Sequence, residues 1–322
     1  MTLLSSPSRF LQYLLDFMSV RYLLDSALFR ACRLDAWLSW LIAFLTGTII
    51  AGAEKHTVHP IHLLQPTLAF CSMTASIFIM NQCFDIGNDQ ANRHKSSLPI
   101  ASGEISPKTG LLLSLSLFIS SVMLSIFVRQ IFQILMLVYF LLWLAYSHPK
   151  VHLKSKPVVD LIVAGLGAGF IPFLAGWNTF SPSLPFPTVL GLAFLLAQAG
   201  AHTMHIASDR EADSLVGLNT SAVRFGGGTV SKCGFIFFLS ALMLFITSVS
   251  KQEIPPFVTV ISVVVLPVAT PTIFRYIAVI RGGADKPGDF AEMRRAIVHL
   301  QVCFLAAYAL AFLVMSLGRP NN

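Results

Sequence analysis

The sequence predicts an all-α, polytopic membrane protein of nine transmembrane helices, and three observations predict it. Of its 322 residues, 55% are apolar and only 11% are charged, with a mean hydropathy of +0.73, whereas soluble domains carry about 25% charged residues. Apolar runs approaching the roughly 20 residues that cross a bilayer recur along the whole chain. Basic residues alternate between scarce and abundant in the segments joining those runs. A backbone in lipid must satisfy its amides internally, and runs without the alternation of a barrel strand do so only as helices.

The runs span 36–53, 64–83, 110–128, 131–146, 158–177, 187–204, 233–249, 256–274 and 296–317. The first ends before Lys55, the second at a polar segment leading to Arg93, the third before Arg129, and the fourth, which is short for a span, before Lys150. The fifth follows Lys154 and Lys156, and the sixth ends before Arg210. The seventh lies between Lys232 and Lys251, the eighth ends before Arg275 and the ninth before Arg319. Of the 22 Lys and Arg residues, all but Lys55, Arg129, Lys251 and Arg319 lie in the N-terminal tail or after an even-numbered run. That asymmetry places the N-terminus and the even-numbered ends in the cytoplasm. It also accounts for the net charge of +7 without nucleic acid.

Residues 1–35 read as a cytoplasmic leader, with Phe10, Leu11, Leu14, Leu15 and Met18 forming one face of an amphipathic helix on the membrane surface. The rest, 36–322, reads as a single integral domain, because no later polar stretch is long enough for an independent core. No cleavable signal peptide is evident, and the five scattered cysteines imply neither a disulfide framework nor zinc.

The chemistry lies where acidic residues interrupt this pattern. Asn81, Asp85 and Asp89 recur every fourth residue after the second run, a spacing that stacks oxygen ligands on one helix face, and Asp209 and Asp213 repeat the device after the sixth. Carboxylates so close repel one another unless a cation sits among them. Mg²⁺ is typically held by one or two carboxylates with water and phosphate oxygens, so two facing clusters would clamp a diphosphate through Mg²⁺. Arg93, Lys95, Lys154, Arg210 and Arg224 stand nearby as donors to diphosphate oxygens.

Other polar features read as structural. His56, His59 and His62 fall around Pro60 in a loop on the far side of the membrane, and Gly226-Gly227-Gly228 reads as a flexible connection into the seventh helix. Asp160, just inside the fifth run, either pairs with Lys154 or Lys156 or lines a cavity.

The segment Asn81-Gln82-Cys83-Phe84-Asp85-Ile86-Gly87-Asn88-Asp89, with Leu98-Pro99-Ile100-Ala101-Ser102-Gly103 after it, resembles the first signature of the UbiA superfamily of intramembrane prenyltransferases, nearest its homogentisate branch. Tyr146-Ser147-His148-Pro149 and Asp209-x-x-x-Asp213-x-x-x-Gly217-x-x-Thr220 agree with later signatures. The likeness implies a central cavity in which Asp85, Asp89, Asp209 and Asp213 bind Mg²⁺ and Asn81, Arg93, Lys95 and Lys154 hold the diphosphate of a farnesyl, geranylgeranyl or phytyl donor. It further implies transfer of the prenyl group to an aromatic or lipophilic acceptor. His205 and Ile206 stand where that branch has a Lys-Asp pair, which leaves the acceptor open. Two other functions fit part of the pattern: a membrane terpene cyclase of the same superfamily, and a secondary transporter with acidic groups on its path.

Overall fold

The computed structural model describes residues 26–54, 60–180 and 185–253, with a few positions beyond. Within them the fold is all-α, and seven helical segments are long and apolar enough to cross a membrane. The eighth and ninth runs, the 10–18 stretch of the leader, and His56 and His59 lie outside the described residues.

A short helix α1 (Ala27–Cys32) begins at Ser26, whose hydroxyl accepts from the Phe29 amide at 3.3 Å, and ends at Arg33 in the left-handed conformation (φ 50°). Helix α1 is docked on the protein, with Ala31 packed against Ile79, Ile100 and Ile105. The first span, α2 (Leu34–Glu54), follows at once. Helix α3 (Pro60–Phe84) and the one-and-a-half-turn α4 (Ile86–Ala91) carry the first acidic segment and meet at Asp85, which leaves helical geometry at φ −103°, ψ 13°. The stacking expected of Asn81, Asp85 and Asp89 survives the break, because the Asp85 amide still donates to Asn81 O at 2.9 Å and the Asp89 amide to Asp85 O at 2.8 Å.

Helices α5 (Pro107–Ser125) and α6 (Gln130–Ser147) are the third and fourth spans. The fifth is composite: α7 (Val159–Gly165), a π-helical turn over Leu166–Phe170, and α8 (Ile171–Trp177). Such wide turns often mark functional positions. Helix α9 (Thr188–Leu215) is longer than the sixth apolar run, at about 42 Å against a hydrocarbon thickness near 30 Å. Its last turns carry Asp209 and Asp213 out of the apolar run on the same rigid rod. A short α10 (Ser221–Phe225) precedes α11 (Gly227–Ser250). The glycine triplet is not a flexible connection: Gly226, at φ 87°, turns the chain, and Gly227 and Gly228 open the helix itself.

Packing between spans relies on small residues, as expected where lipid gives no hydrophobic drive for helix association. Helices α3 and α5 are stitched reciprocally: Ser76 Oγ donates to Ser114 O at 2.7 Å and Ser114 Oγ to Ser76 O at 2.9 Å. Helices α2 and α8 approach through Gly47 and Gly176. A Cβ on Gly47 would collide with the Phe173 carbonyl, and one on Gly176 with the Phe44 carbonyl. Trp37, Phe44, Phe70, Phe132 and Trp143 fill the adjacent core.

Because both collisions are with backbone, Gly176→Ala must push α2 and α8 apart. A loss of about 1–3 kcal/mol of stability is expected, read as an earlier thermal unfolding transition in detergent, with Gly87→Ala, where a Cβ meets nothing, as the control.

Candidate active site

The two acidic segments meet. The loop after α4 returns toward α9, where Asn92 Nδ2 donates to Asp209 Oδ1 at 2.8 Å and Lys95 Nζ to Asp209 Oδ2 at 2.6 Å. One helical turn on, Asp213 Oδ1 accepts from Asn88 Nδ2 at 3.3 Å. On the other side Lys154, in a 3-10 turn over Leu153–Ser155, reaches Asp85 in a buried ion pair. Asn81 Nδ2 donates to Asp85 Oδ2 at 2.7 Å and to Ser147 Oγ at 3.0 Å. Burial works against the Lys95 ammonium, and neighbouring Asp209 more than restores it, so its pKa lies above the ordinary value.

These groups form the polar end of a cavity of about 620 Å³, a size that suits a lipophilic small molecule. Away from them its walls include Trp40, Ile77, Phe78, Trp143, Ala164 and Ala168. Trp40 and Trp143 stack at 4.6 Å between centroids, and Tyr146 meets Trp143 edge-on at 5.0 Å.

Of the residues singled out in the sequence, Asn81, Asp85, Lys95, Lys154, Asp209 and Asp213 line this cavity. Asp89 lies buried just behind the lining. Arg93, Arg210 and Arg224 are exposed and line no part of it. For Arg210 the cause is helical phase: one residue past Asp209 the side chain is turned by about 100° from the cavity face. On α10 it is Ser221 and Ala222 that are buried, leaving Arg224 outside.

Asp160 takes neither expected role. Fully buried, it pairs with no lysine, because Lys154 is committed to Asp85; instead it accepts from the Ser221 amide at 2.7 Å, Ser221 Oγ at 2.5 Å and the Leu161 amide at 2.9 Å. Ser221 Oγ also accepts from the Val158 amide at 2.7 Å, and Ser155 Oγ from the Asn219 amide at 2.9 Å. These bonds fasten the turn bearing Lys154 to the loop that follows Asp213.

Several cavity residues carried no signal in the sequence beyond periodicity. Arg33, which reads as part of a topological charge bias, enters the cavity through its left-handed turn and lies over the Phe78 ring at 5.7 Å. Gln198 and His202 share the cavity face of α9 with Asp209 at i, i+4 and i+11, which helical spacing alone would have exposed. Gln82 does the reverse: although it opens the first signature, it faces away and donates to Ala31 O at 2.7 Å, anchoring α1.

The donor set fits Mg²⁺ held together with an anion. Asp89 Oδ2 and Asn88 Oδ1 are buried without a hydrogen-bond partner, an arrangement that is costly unless a cation or donor is supplied. Among the described residues no three His, Cys, Asp or Glu side chains are grouped to hold a metal by themselves. Diphosphate oxygens would therefore complete the coordination, as hard Mg²⁺ prefers.

The profile of the UbiA prenyltransferase family matches residues 40–283. Among curated proteins, a digeranylgeranylglyceryl phosphate synthase of Sulfurisphaera tokodaii is 26% identical over 69% of this chain and 77% of its own. A 4-hydroxybenzoate octaprenyltransferase of Francisella tularensis is 26% identical over 65% and 72%. Among solved structures, a UbiA homolog of Archaeoglobus fulgidus bound to GPP and Mg²⁺ superposes with a TM-score of 0.69 at 22% identity, covering 88% of this chain and all of that one. A homolog from Aeropyrum pernix gives 0.70 at 17% identity over 87% and 99%.

Burial pushes the Asp89 carboxyl up to about 6, and the charge of Asp85 adds to the shift while Lys95 and Arg33 oppose it. A raised pKa favours the protonated acid at low pH, and only the carboxylate binds metal. Mg²⁺ affinity, measured by calorimetry with a non-hydrolysable diphosphate, should therefore be steady at pH 7–8 and fall as pH drops through about 6.

Proposed function

This chain belongs to the UbiA prenyltransferase family and is an enzyme of the membrane, and we propose that it transfers a polyprenyl group from an isoprenoid diphosphate, with Mg²⁺, to an aromatic or other lipophilic acceptor. The observation that carries the reading is the meeting of the two acidic helix ends at one pole of a cavity whose other walls are mainly apolar and aromatic. The 4-hydroxybenzoate octaprenyltransferases, named for an aromatic substrate, support the acceptor class, and the GPP- and Mg²⁺-bound homolog supports the donor and metal. Family membership displaces the transporter reading.

Asp85, Asp89, Asp209 and Asp213 would hold the metal, with Asn81 and Asn88 beside them. Mg²⁺ supplies Lewis-acid stabilisation of charge on the departing diphosphate. Lys95 and Lys154, which pair with Asp209 and Asp85, would offer positive charge to the phosphate oxygens beside those carboxylates. Arg33 joins them as a third cation, in place of Arg93, Arg210 and Arg224. Loss of diphosphate leaves an allylic cation, which the faces of Trp143 and Tyr146 would stabilise while the apolar walls exclude water. The basic residues of the loops support a cytoplasmic placement of the N-terminus and of this pole.

Incubation of purified protein with geranyl, farnesyl, geranylgeranyl and phytyl diphosphates, with and without a pool of phenols, tests the reaction. Acceptor-dependent adducts are expected; hydrocarbon formed without acceptor would convert the assignment to a terpene cyclase.

Asp85→Asn and Lys154→Ala should each lower pyrophosphate release by about 10²–10³-fold, the scale of losing one pre-organised electrostatic contact, whereas Arg93→Ala and Arg210→Ala stay within a few-fold of the parent. Breaking the buried pair also costs stability, so thermal unfolding of each variant accompanies the assay.

A further inference from the structure

The transfer reaction must dispose of a proton as well as a diphosphate. When an aromatic carbon captures the allylic cation, the ring recovers its electrons only by losing the hydrogen at that carbon. A basic group must therefore face the apolar part of the cavity, beyond the phosphate pole.

The carboxylates are committed elsewhere. Asp85, Asp209 and Asp213 are held by Lys154, by Lys95 with Asn92, and by Asn88, and Asp160 lies outside the lining with its oxygens occupied. Asp35 and His205 also line the cavity but are exposed, and His205 stands only four residues before Asp209, one helical turn from the metal pole. His202 is placed differently. It lies on the cavity face of α9, seven residues before Asp209, which sets it about 10 Å, two helical turns, inward of the metal pole. That leaves the depth of an aromatic ring between the leaving group and the imidazole. Its Nε2 is 3.1 Å from Tyr146 Oη, which fixes the ring in the cavity beside the Trp143–Tyr146 wall. Tyr146 is in turn one residue from Ser147, the partner of Asn81, so the pair is tied to the diphosphate end by a single turn of α6.

Resting on the function proposed above, we infer that the His202–Tyr146 pair takes up the proton released when the allylic cation is captured. The C1–O bond to diphosphate breaks with its electron pair leaving on the diphosphate, and an acceptor carbon supplies the pair that forms the new C–C bond. The C–H pair at that carbon returns to the ring, and the proton passes to His202 Nε2, directly or through the Tyr146 hydroxyl. In a cyclising reaction the same pair would remove the proton that turns the final cation into an alkene.

The test compares His202→Gln and Tyr146→Phe with the parent enzyme, using geranylgeranyl diphosphate and a panel of phenols with and without ring deuterium. Pyrophosphate, prenyl adduct and prenyl alcohol are each quantified. In His202→Gln, adduct should fall at least tenfold while pyrophosphate release falls less than threefold, the difference appearing as alcohol. Ring deuteration, silent in the parent, should then slow adduct formation, because proton loss has become limiting. Tyr146→Phe should move both readouts the same way by a smaller factor. If the parent forms alkene without acceptor, the same partition is read on alkene. An unchanged adduct-to-pyrophosphate ratio, or a parallel loss of both products without an isotope effect, overturns the proposal, and an unfolded His202→Gln transfers the decision to Tyr146→Phe. Absence of pyrophosphate release from the parent would instead reject the prenyl-transfer reading itself.

Discussion

The structure depends on neutralising four carboxylates gathered at the ends of two helices. Asp85 and Asp89 close one span, Asp209 and Asp213 extend another, and unopposed they would drive the helix ends apart. Lys154 and Lys95 each set a positive charge against one cluster, and Asn88 and Asn92 reach across from the first acidic segment to the second. These contacts hold the two acidic segments together at one pole. Its cost is visible in Asp89 Oδ2 and Asn88 Oδ1, buried without partners and so predisposed to a cation.

Each cation must itself be held in place, and the means is hydrogen bonding to backbone rather than further charge. The turn that carries Lys154 is fastened to the loop after Asp213 through Ser155, Ser221 and the buried Asp160. A carboxylate inside a membrane domain is tolerated there because three donors surround it. Lys95 sits in a loop whose Pro99, Ile100, Ala101 and Ile105 are buried, so the segment after α4 is packed down over the site.

Below the pole the cavity changes character within two helical turns. Trp40, Trp143 and Tyr146 form a continuous aromatic wall, and α9 presents Gln198, His202, Asp209 and Asp213 down one face. In the proposed reaction one rigid helix would thus carry leaving-group chemistry at its end and acceptor chemistry in its interior, and position each relative to the other.

The sequence by itself determined the helical class, seven described spans to within a few residues apart from the longer sixth and a seventh that starts six residues earlier, and the acidic residues of the pole. Spans follow from hydrophobic length and the acids from four-residue spacing, and both are local properties of a chain. Tertiary structure decided which cations line the cavity. Arg93, Arg210 and Arg224 lie near the motifs in sequence yet outside the cavity, whereas Arg33, more than fifty residues from the first aspartate, lies inside it. It likewise decided that Asp160 caps Ser221 rather than pairing with a lysine, and that His202 meets Tyr146. Charge, residue type and spacing are written along the chain. The direction in which a side chain points across a gap between helices is set only when those helices pack.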